Sequence, residues 1–269
     1  MRNFYLRTLT GIAIVTIIVS AVIFGVYSFL FLCLIINFFA LLEFYHLFQI
    51  KSYRKVFAII VSMALLLSTC LFRSNYFDFS IILVNLPLIS FIFISELYLK
   101  SDNPFSNLAF SFLGMIYITL PFILLFNCAF FKDVYHPEII LGYFFLLWAN
   151  DTAAYVCGSL FGKYPLSSRV SPNKTWEGSA GGAILVMIFV FINYTFFHAI
   201  PLSGWIIIGV IVIVMGTLGD LVKSLMKRSL NVKDSGKILP GHGGILDRFD
   251  SLIGSVPFVY LYLTVELLA

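Results

Sequence analysis

Residues 139–160 read IILGYFFLLWANDTAAYVCGSL, an uninterrupted apolar run in which Asp151 is the single charge. At about 1.5 Å of rise per residue, a helix of this length crosses the ~30 Å hydrocarbon core of a bilayer. The alternating ten-residue segments of a membrane β-barrel are missing. A carboxylate within such a run costs at least ~2.5 kcal/mol near the bilayer centre. Asp151 therefore either faces a site or marks a helix end reaching water, and it is a functional candidate.

Outward from this run the same pattern recurs at about 9–24, 27–48, 56–72, 79–98, 108–129, 179–199, 204–222 and 252–268. The 269-residue chain is 61% hydrophobic and 11% charged, with mean hydropathy +1.01, which excludes a water-soluble domain. The fold class expected is all-α, a polytopic integral membrane protein of about nine transmembrane helices. Residues 1–137 make an N-terminal region of about five spans. Residues 138–269 make a catalytic region of about four, with loops at 161–178 and 223–250. Arg2 and Arg7 precede a first run that lacks a small-residue cleavage site, so it reads as a retained anchor. Cys33, Cys70, Cys128 and Cys157 form no CxxC pair and read as small hydrophobes, without a disulfide framework or zinc site. Glu43 and His46, three residues apart at the end of the second run, are either an interfacial polar pair or site-lining groups. Glu96 reads as interfacial. No repeat, soluble domain or nucleic-acid-binding feature is expected.

Charge gives the orientation. If the nine runs alternate across the bilayer, fifteen of the seventeen Lys and Arg residues fall on one face, leaving Arg73 and Lys132 on the other. By the positive-inside rule the N-terminus and the charged loops are cytoplasmic and the C-terminus is outside.

The charges gather in one place, residues 220–251, DLVKSLMKRSLNVKDSGKILPGHGGILDRFDS, where ten of thirty-two residues are Asp, Lys or Arg. Asp220, Lys223, Ser224 and Lys227 share one helical face; Leu221, Val222, Leu225 and Met226 take the other. Asp220 and Lys227 then stand roughly 10 Å apart along the axis, comparable with an extended triphosphate. Pro240-Gly241-His242-Gly243-Gly244 breaks any helix and permits close backbone approach to a ligand. It lacks the Gly-Lys-Ser/Thr ending of a P-loop. Asp247 and Asp250 follow on one face of the next helix, beside Arg248. Asp220 and Asp247, at adjoining helix ends, are candidate ligands of Mg²⁺, which takes hard oxygen donors and keeps waters and substrate phosphates. The loop GKYPLSSRVSPNKTWEG, 162–178, supplies Lys163, Arg169 and Lys174 as phosphate donors, and the small residues at 178–182 permit close helix approach within or between subunits.

These residues carry a resemblance. Ser224-Leu-Met-Lys227-Arg228, Lys233-Asp234-Ser-Gly, and Leu239-Pro240-Gly241-His242-Gly243-Gly244-Ile-Leu-Asp247-Arg248-Phe-Asp250-Ser251 resemble the signature of the phosphatidate cytidylyltransferase (CDP-diacylglycerol synthase) family, bacterial type. Trp148…Asp151-Thr-Ala-Ala-Tyr155…Gly158…Phe161-Gly162-Lys163 and Ser171-Pro172-Asn173-Lys174-Thr175-Trp176-Glu177-Gly178 are similar to it too, with Asn173 where Lys is commoner. The motifs cover about 148–251.

The resemblance implies that CTP and phosphatidate react, with Mg²⁺ and in some members a second cation, to give CDP-diacylglycerol and pyrophosphate, in a homodimer of the bacterial inner membrane. On this reading Asp220 and Asp247 hold the metal, with Asp250 as a further ligand or supporting group. Lys223, Lys227, Arg228 and Arg248 bind CTP or the developing pyrophosphate, together with Ser224, Lys233, Asp234, Gly243 and Gly244. Ser171, Lys174 and Glu177 close the site from the other loop, and Asp151 accepts a proton or orients a ligand. His242 is expected to shape the Gly turn or hydrogen-bond a phosphate rather than act as a base. Rival readings are a CTP-dependent polyprenol kinase, another lipid cytidylyltransferase, or a transporter of an anionic metabolite.

Overall fold

The computed structural model describes residues 2–50, 52–74, 77–98, 103–236 and 243–268. It is an all-α membrane protein. Among the described residues seven helical runs are long and apolar enough to cross a bilayer: Val26–Leu47, Tyr53–Arg73, Ser80–Tyr98, Pro104–Cys128, Pro137–Phe161, Trp176–Phe196 and Leu202–Ser229. Thr8–Ile23 is a shorter apolar helix, and a last helix occupies Asp250–Leu268.

Several boundaries differ from the sequence expectation, and three of them have a plain local reason. The fifth run begins at Pro104 rather than 108, because a proline at the first helical position forfeits no hydrogen bond and has φ already set. The seventh begins at Trp176 rather than 179, since the Thr175 hydroxyl accepts the Gly178 N–H at 3.2 Å and caps the helix there. The eighth continues to Ser229 rather than 222, as the amphipathic stretch from Asp220 stays helical.

The chain divides into two compact units, Met1–Asn127 with Asp234–Leu246, and Cys128–Lys233 with Asp247–Ala269. The described residues 234–236 and 243–246, expected with the C-terminal region, thus belong to the first unit.

In the first unit α1 (Arg2–Ile23) and α2 (Val26–Leu47) meet at Gly25, whose φ of 121° suits glycine alone. Helix α2 is the buried centre of this unit: Phe29, Ala40, Leu41, Phe44 and Tyr45 are all fully enclosed. Phe29 stacks on Phe126 at 5.9 Å between centroids. Tyr45 donates to the Ser111 carbonyl at 2.9 Å, and its ring fills the space over Gly114. Helix α2 packs on α1, α3 (Ser52–Arg73), α6 (Pro104–Gly114) and a π-helical turn at Met115–Thr119 that leads into α7 (Leu120–Cys128), while α4 (Ser80–Leu83) and α5 (Asn85–Tyr98) pack on α3. Arg54 is not in a loop but in the first turn of α3. It is buried in a forked ion pair with Glu96 of α5, Nη2 donating to Oε2 at 3.0 Å and Nε to Oε1. Two charges taken out of water require such bidentate geometry to recover their desolvation cost.

The second unit contains a short hairpin, β1 (Phe130–Phe131) with β2 (Val134–Tyr135), then α8 (Pro137–Phe161), a second hairpin of β3 (Pro165–Ser167) and β4 (Ser171–Thr175), and α9 (Trp176–Phe196). Next come α10 (Leu202–Ile211), a π-helical turn at Val212–Gly216, α11 (Thr217–Ser229) and α12 (Asp250–Leu268). The small residues of 178–182 serve packing within the chain: a Cβ on Gly178 would stand 2.7 Å from the Ala154 carbonyl and 3.2 Å from the Gly158 Cα, so α9 lies almost backbone to backbone on α8. Gly219 and Gly254 do the same for α11 and α12. These two close crossings bring the polar residues of four elements into one neighbourhood. Cys33, Cys70 and Cys128 are buried, and all four cysteines are free.

Candidate active site

Helix α11 is built inside out by the standards of a soluble protein. Lys223 is fully buried, whereas Val222 and Leu225 are 52% and 47% exposed. The polar stripe faces protein and the apolar stripe faces outward, the arrangement that a hydrocarbon solvent selects. The π-helical turn Val212–Gly216 interrupts the normal hydrogen-bond register just before this segment, a feature that recurs at functional sites.

From the inward stripe, Asp220 forms an ion pair with Lys174 of β4. One helical face further on, Lys227 Nζ donates to Asp247 Oδ1 at 2.8 Å. Arg228 Nε donates to the Val170 carbonyl at 3.4 Å, holding the hairpin turn against the end of α11. The β3–β4 hairpin is thereby tied to α11 at two points.

Asp151 sits on α8 and accepts the Ser251 hydroxyl at 3.3 Å. Asp250, buried at the first residue of α12, accepts the Ser251 N–H at 2.8 Å. Its carboxyl lies within electrostatic reach of Asp220 and Asp151 and of the Lys174 ammonium. Three carboxylates from α8, α11 and α12 thus act on one another, with Lys174 and Arg248 as compensating cations. Such like charges repel strongly where water is scarce.

The sequence-derived candidates fall into distinct places. Asp151, Lys174, Asp220, Lys227, Asp247 and Asp250 are brought into linked pairs within the second unit. Ser171 stands at the start of β4, and Ser224 and Lys223 lie on α11. Arg248 is exposed and within electrostatic reach of Asp151. Glu177 turns toward its own loop, where Oε2 accepts the N–H groups of Lys163 and Tyr164 at 3.1 and 3.3 Å, so it fixes the entry to the hairpin. Lys233 and Asp234 are exposed, one at the end of each unit's segment. Gly243, with φ 81°, and buried Gly244 belong to the first unit. His242, with Pro240 and Gly241, lies outside the described residues.

Two residues carry more here than the sequence suggested. Ser251 links Asp151 and Asp250 through its hydroxyl and its N–H; only its place beside the DRFD run hinted at this. Glu43 proves to be enclosed rather than interfacial, at 4% exposure.

Among the described residues no three His, Cys, Asp or Glu side chains converge as a ready-made metal cage. The donor chemistry nevertheless fits Mg²⁺. This ion is usually held by one or two carboxylates and completed by water and substrate phosphates, and the available donors are carboxylate oxygens.

Comparison with known proteins shows the family. The model of the cytidylyltransferase family matches residues 5–266. A phosphatidate cytidylyltransferase of Haemophilus influenzae is 43% identical over 169 residues, 60% of this chain and 59% of that protein, so the match spans less than two thirds of that relative. Proteins of the same name from Staphylococcus haemolyticus and Staphylococcus saprophyticus are 36% and 35% identical over 260 and 265 residues, each covering 96% of this chain and 98% of the relative. With near full-length matches to both the family model and these relatives, the chain belongs to the cytidylyltransferase family.

Proposed function

We infer that the chain is a CTP:phosphatidate cytidylyltransferase of phospholipid synthesis, transferring CMP from CTP to phosphatidate with release of pyrophosphate. The observation that carries this reading, beside the relatives, is the chain of linked Asp and Lys side chains on α8, β4, α11 and α12 of a protein otherwise built to lie in lipid. A lipid phosphate stays with its acyl chains in the bilayer, and a polar wall at the helix ends receives its head group and the nucleotide together.

In the reaction an oxygen of the phosphatidate phosphate forms a bond to the α-phosphorus of CTP while the bond from that phosphorus to the β-phosphate oxygen breaks. Because the attacking phosphate is largely ionised near neutral pH, no strong base is required. The demand is for positive charge and alignment. Lys227, Arg228 and Arg248, with Lys223 fixed inside the wall, meet the phosphates of CTP and then the departing pyrophosphate. Lys174, carried on the hairpin, closes over the nucleotide. The Asp partners hold these lysines extended in advance, so little side-chain entropy is lost when phosphate arrives. Asp151 and Asp250 are held by Ser251 and orient the head-group side. Asp220 and Asp247, supported by Asp250, would hold Mg²⁺, which when bound neutralises charge on the transferring and leaving phosphates.

The finer features follow from charge and composition. The N-terminus and the charged loops are cytoplasmic and the C-terminus is outside, with fifteen of seventeen Lys and Arg on the inner face. Resemblance to bacterial members of the family, rather than charge or composition, supports a bacterial inner membrane as the location and a homodimer as the working form.

The test is CMP transfer from labelled CTP to phosphatidate in detergent micelles, with and without Mg²⁺. CDP-diacylglycerol and pyrophosphate in equal amounts are expected. A folded enzyme that makes neither from several phosphatidates and divalent metals, or that phosphorylates a polyprenol instead, contradicts the reading.

A further inference from the structure

Glu43 lies within the apolar helix α2, four residues from its end, and its carboxylate is buried. A buried carboxylate must be supplied with donors, or it costs several kcal/mol. Here the donors come from one segment. The Ile245 N–H donates to Oε1 at 2.9 Å, the Leu246 N–H to Oε2 at 3.0 Å, and the Ser235 hydroxyl to Oε2 at 3.3 Å. Both ends of the segment 235–246 are therefore held by one side chain.

The glycines of this segment are shaped to the same carboxylate. A Cβ at Gly236 would stand 2.5 Å from Glu43 Oε1, and a Cβ at Gly244 2.5 Å from Oε2. Gly236 and the second glycine of the Gly-Gly pair thus leave room for Glu43, and Gly244 for the Ser235 hydroxyl as well. Leu246 is followed directly in the chain by Asp247 and Arg248. A carboxylate that fixes the peptides of 245 and 246 fixes the backbone from which those two side chains start.

We propose that Glu43 is a positioning residue for CMP transfer, clamping the glycine-rich segment so that Asp247 and Arg248 are held in their working direction. The proposal rests on the cytidylyltransferase reading above. Glu43 touches no substrate in this role; it acts through the backbone.

Glu43→Gln keeps size and shape but removes the negative charge and turns one acceptor into an NH₂ that faces a donor. On the full-length enzyme in micelles, kcat is expected to fall about a hundredfold, the scale of an ångström-sized misplacement. KM for CTP and phosphatidate stays within about threefold, since uniform binding is not removed. Hydrogen exchange is expected to speed up at the amides of 245 and 246 while the rest of the protein and its unfolding midpoint are unchanged. Gly244→Ala presses a methyl group onto the carboxylate and gives the same split of kcat from KM. Pairing it with Glu43→Asp, one methylene shorter, recovers part of the loss. If Glu43→Gln fails to fold, Ser235→Ala and Gly244→Ala carry the test, and wild-type kcat in both overturns the proposal. An active wild type with unaltered kcat and exchange in Glu43→Gln overturns it alone. A wild type without CMP transfer overturns the functional reading first, and the catalytic part of the proposal with it.

Discussion

The ion pairs of the two units differ in a way that separates architecture from chemistry. In the first unit Arg54 and Glu96 are 4% and 7% exposed and joined by two parallel hydrogen bonds. In the second, Lys174 and Asp220 are 27% and 30% exposed, and Lys227 and Asp247 are 17% and 12% exposed and meet through one described bond each. A sealed, forked pair is closed off from an incoming phosphate by its burial, and it holds α3 to α5. Pairs that keep part of their surface open can exchange partners, so a lysine released by its carboxylate finds a phosphate without leaving its place. The same residue types thus serve as a lock in one region and as a binding wall in the other.

Breaking that contrast gives graded outcomes. Asp220→Asn is expected to have the largest effect on turnover, lowering CMP transfer about a thousandfold, or ~4 kcal/mol at ~1.4 kcal/mol per factor of ten. Stability should change by less than about 1 kcal/mol, as for a part-exposed pair; labelled-CTP turnover beside thermal unfolding in micelles checks both. Arg54→Met leaves Glu96 buried alone and costs about 3–5 kcal/mol of stability, read as a lower unfolding midpoint. Turnover per folded molecule should remain near wild type. Replacing both partners, as Arg54→Met with Glu96→Leu, is expected to restore most of that stability, because an apolar pair of similar volume suits the site. Lys174→Met, on the hairpin, should raise KM for CTP about tenfold, ~1.4 kcal/mol of binding. Glu177→Gln should have the smallest effect, a few-fold at most by analogy with other exposed contacts, since its contacts are to the backbone of its own loop.

Much of the fold was legible because membrane helices announce themselves by length and composition. The runs at 27–48 and 139–160 lie within two residues of α2 and α8 at each end. The boundary errors came where local chemistry overrides hydropathy: a proline opening α6, a threonine cap opening α9, and an amphipathic extension of α11. The site was legible where polar residues cluster in sequence, so that Asp220, Lys227, Asp247 and Asp250 could be singled out. The partners were not, because pairing is a tertiary fact. Nothing in the sequence tells that Lys174 belongs with Asp220, that Arg54 belongs with Glu96, or that Ser251 joins Asp151 to Asp250. Glu43 was visible as a charge in an apolar run. Its task became apparent only with the peptides of 245 and 246 folded onto it, residues two hundred positions away in the chain.

The most direct measurement sets Asp247→Asn beside Arg54→Met in one experiment, recording labelled CMP transfer per folded molecule and the unfolding midpoint of each. The division between open and sealed pairs requires Asp247→Asn to be folded and nearly inactive, and Arg54→Met to be less stable yet turning over. Near wild-type transfer by Asp247→Asn, or a fully stable and inactive Arg54→Met, would contradict it.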